Sequence, residues 1–272
     1  MLTIVSVGRL AAQDSGDAAL ALQGQLTDPV AVNRQEGQRV QAAAVGSVNL
    51  LDTYLSQEKY KGTELRYVFQ TFRPSERRPG WVTQQTSMLA FQDAAPRADN
   101  SDYIGGMFTY AYTLRREWTL GTQWSLEAGG QVEGGVGFLY STRNSNNPAQ
   151  ARLYMNLGPS VAASFAFPFR KKRLRVRYEA AAPLVGVMFS PNYGQSYYEL
   201  FTRGNYDHNA VPTTAICAPT LRQQLTVDVP FRRFSLRVGY LGDYQQAAVN
   251  NLKYHAYSHL LLVGIVRPLH RR

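Results

Sequence analysis

The sequence predicts an all-β fold, a single antiparallel up-and-down β-barrel spanning a membrane, and three observations carry that expectation. Every second residue from Trp118 to Tyr140 reads Trp, Leu, Thr, Trp, Leu, Ala, Gly, Val, Gly, Val, Phe, Tyr, with Gln123, Glu127, Gln131 and Glu133 between them. Such alternation marks a strand with two chemically opposite faces, and its roughly twenty residues suit a long, tilted strand in a barrel wall. No run of about 20 apolar residues exists to form a membrane helix, whereas a barrel needs only alternate residues to touch lipid. Aromatic residues also gather at two levels: Tyr54, Tyr60, Phe138, Tyr140, Tyr193, Tyr197, Tyr198, Tyr254 and Tyr257 near one set of strand ends, and Phe72, Trp81, Trp118, Phe167, Phe169, Phe231 and Phe234 near the other. Two girdles are the pattern expected at two water–lipid interfaces.

The domain organisation is simple. Residues 1–12 read as a truncated signal peptide, with an apolar Leu2–Gly8 stretch and Leu10-Ala11-Ala12 before Gln13 resembling a cleavage site. Residues 13–38 turn polar and read as a periplasmic segment, and residues 39–269 as the barrel.

Within the barrel, residues 39–54 set Val40, Ala42, Ala44, Val48 and Leu50 against Arg39, Gln41, Ser47 and Asn49. Residues 62–73 set Leu65, Tyr67 and Phe69 against Glu64, Arg66 and Gln70, while 81–93 alternate too poorly to orient. Residues 103–115 carry Ile104, Phe108, Tyr110, Tyr112 and Leu114 on one face, and the long strand from Trp118 follows. Residues 150–169 set Leu153, Met155, Leu157, Val161, Phe165 and Phe167 against Arg152, Tyr154, Asn156 and Ser160. Residues 173–188 set Leu174, Val176 and Tyr178 against Arg173, Arg175, Arg177 and Glu179. Residues 220–231 set Leu225, Val227 and Val229 against Arg222, Gln224 and Asp228, and residues 233–247 set Phe234, Leu236, Val238 and Tyr240 against Ser235 and Arg237. The closing strand, 253–267, is apolar on both faces.

Tight connections near 74–79, 116, 170 and 232 alternate with longer ones near 56–61, 94–101, 142–149, 189–219 and 248–252, the asymmetry of periplasmic turns and extracellular loops. The count is ten strands, or twelve if Ser196–Thr202 pairs as a strand together with one more.

With the apolar faces on lipid, the polar faces line a narrow lumen. There Glu64, Arg66, Glu127, Glu133, Arg152, Arg175, Arg177, Glu179, Arg222, Asp228 and Arg237 are enclosed together as a charge network, since buried charges persist only when paired or hydrogen-bonded. A ten-stranded barrel is little wider than the eight-stranded kind that side chains fill, so the expectation is a salt-bridged plug.

Composition excludes other classes. The net charge of +10 resides partly in short punctuating segments such as Arg77-Arg78 and Arg170-Lys171-Lys172-Arg173, without the aromatic stacking platform of a nucleic-acid stripe, so no nucleic acid is expected. Cys217 is alone, which rules out an intrachain disulfide and a cysteine-rich metal site. No cofactor is expected.

The segments Arg143–Ala149, Pro183–Glu199, Leu236–Asp243 and Asn251–His259 resemble an uncharacterised family of outer-membrane β-barrels from Bacteroides-type bacteria. The resemblance spans residues 120–269 and implies a barrel in the outer membrane of a Gram-negative envelope, with no activity to carry over. Barrels of that kind usually end on an aromatic residue, and here Leu269 stands in its place.

For function, three classes stay open: a structural or binding barrel, a narrow solute channel, and a rim hydrolase of lipid or peptide. No residue is assigned a catalytic or metal-binding role. Ser258 lies on the opposite strand face from His255 and His259, and these histidines, about 13 Å apart, are too distant to share a metal. Asp207-His208 resembles the Asp and His of outer-membrane proteases but reads more simply as a solvated loop pair. The long loop offers Tyr193, Gln195, Tyr197, Tyr198, Glu199, Tyr206, Asp207 and His208, rigid aromatics and hydrogen-bonding groups suited to a binding surface. The expected partners are outer-membrane lipid and lipopolysaccharide, and envelope proteins.

Overall fold

A computed structural model describes residues 37–97, 102–142, 147–170 and 172–269. The signal peptide and almost all of the periplasmic segment lie outside the described residues.

Alternating sequence becomes twelve strands: β1 (Gln38–Asp52), β2 (Ser56–Pro74), β3 (Trp81–Pro96), β4 (Tyr103–Leu120), β5 (Trp124–Ser141), β6 (Ala149–Phe169), β7 (Lys172–Ala181), β8 (Val185–Phe189), β9 (Ala210–Thr214), β10 (Thr220–Pro230), β11 (Ser235–Val249) and β12 (Leu252–Pro268). Ten of them, all but β8 and β9, form a closed antiparallel ring in which β5 pairs β6 and β1 pairs β12. Closure leaves no edge along the ring, as a wall in lipid requires.

The two extra strands are continuations. β8 resumes the path of β7 after Pro183, pairing Leu157 to Val185 where β7 paired Ser160 to Ala181. The run 173–188, expected as one strand, is therefore broken, because proline brings no N–H to the ladder. On the neighbouring strand β9 faces β8, and four more residues separate Thr214 from Arg222 than separate Ala181 from Val185. That surplus swings β9 off the ring, and no described strand pairs its far edge. The alternative strand at Ser196–Thr202 is instead a one-turn helix, α1 (Tyr197–Phe201), set by a capping box in which the Ser196 hydroxyl accepts from the Glu199 N–H and the Glu199 carboxylate from the Ser196 N–H.

Other boundaries also move. The reading of Trp118–Tyr140 as one strand is corrected: Gly121, at φ +63°, turns the chain, so Trp118 and Leu120 end β4 and β5 begins at Trp124. Both arms keep an apolar outer face, which hid the turn from an alternation test. The expected long connection at 248–252 is a two-residue hairpin, because Asn250 and Asn251 both take positive φ (51° and 60°), the geometry of a type I′ turn. Residues 56–61, expected as a loop, extend β2.

A belt of exposed apolar side chains circles the wall, including Leu65, Phe91, Phe108, Val136, Leu153, Leu225 and Val263. At the end that holds both barrel termini, cations lie over aromatic rings: Arg39 over Phe69 at 5.6 Å, Arg170 over Phe169 at 5.8 Å and Lys172 over Phe231 at 3.9 Å.

The expectation that apolar faces turn outward fails on β1. Val40, Ala42, Ala44, Val48 and Leu50 are buried in the lumen, and Gln41 and Val45 are exposed outside. Ala42 and Ala44 pack with Val68, Met88, Leu241, Leu260 and Leu262, an apolar sector beside the charges. The outer girdle is corrected for the same reason. Phe138 and Tyr140 stay outside, but Tyr60 and Tyr103 stack at 3.5 Å in the interior, and Tyr54 meets Tyr197 edge to face. Ten strands enclose more width than charged side chains alone fill, and small and aromatic residues close the remainder.

Candidate functional site

The lumen is filled in three storeys. Nearest the termini, Arg237 grips Asp228 through Nε and Nη2 at 2.7 and 2.8 Å. Beside it Arg177 donates to both Glu127 oxygens at 2.5 and 2.8 Å and to Glu179 at 2.5 Å. Arg115 joins Glu127 at 2.9 Å and also donates to Ser160 and Gln84. In the middle storey Arg66 bridges Glu64 at 2.6 Å and Asp243 at 2.5 Å, while Arg222 pairs with Asp243 at 3.1 Å and with Glu133. Ser258, Gln92 and Tyr154 donate to the carboxylate oxygens left over. At the loop end Arg152 pairs with Asp52 at 2.6 Å and lies 3.2 Å above the Tyr254 ring.

Six arginines and seven carboxylates thus interlock among the described residues. Guanidinium forks suit this work because each serves two acceptors in fixed geometry. Of the lumen residues read from sequence, ten stand in these pairs, and Arg175 lines the lumen at the termini end. Three members escaped the sequence reading: Asp52, Arg115 and Asp243. Arg115 is the last residue of the expected strand 103–115, beside an expected turn near 116 that lies instead at Gly121, and Asp243 continues the parity of Arg237, so extending the alternation of β4 and β11 finds both.

The loop-end residues divide into two groups. Gln195, Tyr197 and Glu199 are structural: Gln195 accepts from the Asn192 N–H and from Asn209 Nδ2 and donates to the Asn205 carbonyl. Tyr197 Oη accepts the Ala151 N–H at 2.6 Å and donates to Gln150 at 2.9 Å, seating α1 on the rim with Leu200 buried beneath it. Burial pushes the Tyr54 and Tyr197 hydroxyls above the ordinary phenol range, so both stay protonated donors. Tyr193, Tyr198, Tyr206, Asp207 and His208 face solvent, and the Asp207–His208 pair, 2.6 Å apart, is open on all sides. Replacing Tyr197 by Phe removes both hydroxyl bonds; the expected result is a loop 190–219 cleaved several-fold faster in limited proteolysis, from a local loss of about 1–2 kcal/mol.

The wall separates the candidate hydrolytic groups. Ser258 points inward to Glu64, whereas His255 contacts Asn49 and His259 contacts Tyr240 on the outer surface. Among the described residues no three His, Cys, Asp or Glu side chains group closely enough to hold a metal ion.

A family model described as a protein of unknown function, DUF3316, matches residues 10–271. The chain belongs to that family. The match speaks to kinship and not to a Bacteroides-type origin. No curated protein matches the chain. Solved structures similar to it are outer-membrane barrels: an outer membrane channel from Pseudomonas putida F1 (10% identity, 86% of this chain and 96% of that one, TM-score 0.46), the transport unit of the autotransporter AIDA-I from Escherichia coli (9%, 87% and 91%, 0.48) and an outer membrane protease from Escherichia coli (6%, 86% and 97%, 0.43). At these identities the likeness is one of fold.

Proposed function

We propose that this DUF3316 member is an outer-membrane barrel with a sealed lumen, a structural or binding protein that acts through its loop end. The observation that carries the reading is the filled interior. Three cavities in it, among the described residues, measure about 30, 40 and 100 Å3, room for a few waters and not for a solute. The continuous apolar belt supports a place in lipid, as does the collar of cations over aromatic rings at the termini end, where side chains of both kinds anchor barrels at an interface. In this reading outer-membrane lipid and lipopolysaccharide surround the wall. The exposed Tyr193, Tyr198, Tyr206, Asp207 and His208 are the surface offered to envelope partners.

The test is electrophoresis of the outer-membrane fraction with and without boiling, followed by planar-bilayer recording of the purified chain. A heat-dependent mobility shift together with no steady current is the expected result. A steady current overturns the sealed lumen, and recovery as a soluble protein without a shift overturns the membrane reading.

A further inference from the structure

The outer wall carries a hollow of its own, separate from the lumen. A barrel wall is convex outside, but past the end of β7 residues of β8 and the start of β9 line a hollow together with the outer faces of β4, β5 and β6. The groove formed there holds about 890 Å3, within the range of small-molecule sites. Its floor is Gly134, Val136 and Met155, with Phe108 and Tyr110 on one side and Phe189 on the other. Gly134 makes the hollow: it sits outward between Tyr110 and Met155 in the ladder, and a Cβ there would meet only the Tyr154 carbonyl, at 3.7 Å.

One polar side chain breaks the apolar lining. Asn209 lies at the loop end of the groove and is 4% exposed. Its Nδ2 donates to the Ser190 carbonyl at 3.1 Å and to Gln195 at 2.7 Å, which sets the orientation of the amide, and leaves Oδ1 buried with no donor. Buried acceptors are almost always satisfied, so an apolar groove lined by a residue that carries an orphan acceptor suits an amphiphile with a hydrocarbon body and an O–H or N–H at its head, which reaches the covered Oδ1 by a small turn of the Asn209 side chain.

We propose that the groove binds one molecule of membrane lipid, its chain lying over Gly134 and a hydroxyl or amide N–H of its head donating to Asn209 Oδ1. The occupant comes from the surrounding bilayer because Phe108, Val136 and Leu153 at the groove belong to the exposed apolar belt, and this clause rests on the membrane reading above. Tyr206 lines the same end, and the exposed Asp207 and His208 next to it give the head a polar surround.

The probe is hexadecanol bearing a mid-chain diazirine, photo-crosslinked to the full chain in phosphatidylcholine vesicles, with its methyl ether as the donor-free control. Adducts of the alcohol are expected to concentrate on β5, β6 and β8 over the rest of the belt, and the ether to give about fivefold to tenfold fewer of them, the worth of one hydrogen bond to a buried acceptor. Gly134→Phe, whose Cβ meets the Tyr154 carbonyl only at an ordinary contact distance, fills the groove and removes the concentration for both probes. Even labelling around the belt, or equal labelling by alcohol and ether, overturns the proposal. The boiled and unboiled mobility of the same sample separates the causes: a shifted protein with even labelling sinks the groove alone, and an unshifted one sinks the barrel reading and the groove with it.

Discussion

Replacing Arg177 by methionine lowers the stability of the folded barrel by about 3–5 kcal/mol, the cost of stranding a buried charge by removing its partner. Methionine fills much of the volume, so the loss is electrostatic. Glu127 and Glu179 both turn to Arg177, and without it they face each other with only Arg115 between them, at 2.9 and 3.9 Å. The measurement is the urea midpoint at which the compact, heat-shifted band disappears for chain folded in vesicles. Adding Glu127→Gln and Glu179→Gln to the methionine variant should recover most of the loss, since neutral amides need no counter-charge, and a cycle of these variants isolates the coupling. An unchanged midpoint for the single variant means that the ion pairs of this storey contribute nothing to folding.

Gly46→Val abolishes the compact form altogether. Gly46 lies on β1 opposite Leu260 of β12, in the pair of strands that closes the ring. A Cβ at this position would stand 2.0 Å from the His259 carbonyl oxygen and 2.9 Å from the Leu260 Cα, both backbone atoms with no rotamer to yield. Strand backbones approach this closely only where one residue lacks a side chain. In the membrane reading proposed above, an unclosed seam leaves two unpaired edges in lipid, each unsatisfied backbone group costing several kcal/mol. Gly134→Ala is the control: its Cβ meets ordinary contacts only, and the heat-shifted band should survive. Compact barrel from Gly46→Val shows that the seam opens and re-forms around a side chain.

Much of the fold was legible in the chain. Alternation at Leu65, Tyr67 and Phe69 against Glu64, Arg66 and Gln70, and likewise on β6, β7 and β10, assigns faces correctly because in the middle of each of those strands the charges fall on one side only, the exceptions such as Lys61, Arg73 and Lys172 standing toward the strand ends, and a charge in lipid is expensive. Where that contrast is absent the reading fails. β1 offers Ala and Val against Gln and Ser, neither costly enough on either face to decide. The turn at Gly121 was hidden because two outward apolar runs abut in register. Of the lumen charges, those on clearly alternating strands were found, whereas Asp52 at a strand end was not, since alternation ends where the turn begins. In the long loop, aromatic composition marked a surface, but nothing local separates Tyr197, which seats α1 on the rim, from Tyr198, which faces solvent.

The sequence by itself determined that the chain is a ring of long two-faced strands with a charged interior, because a period of two residues and the cost of an unpaired charge are local facts. Tertiary structure decided the rest. Which face of β1 is enclosed depends on Val68, Leu260 and Leu262 from its neighbours. Which carboxylate meets which arginine depends on strand register, as in the pairing of Arg66 with Asp243, 177 residues away. The groove at Gly134 is lined jointly by β4, β5, β6, β8 and the start of β9, and a hollow between strands distant in sequence leaves no periodic trace in any one of them.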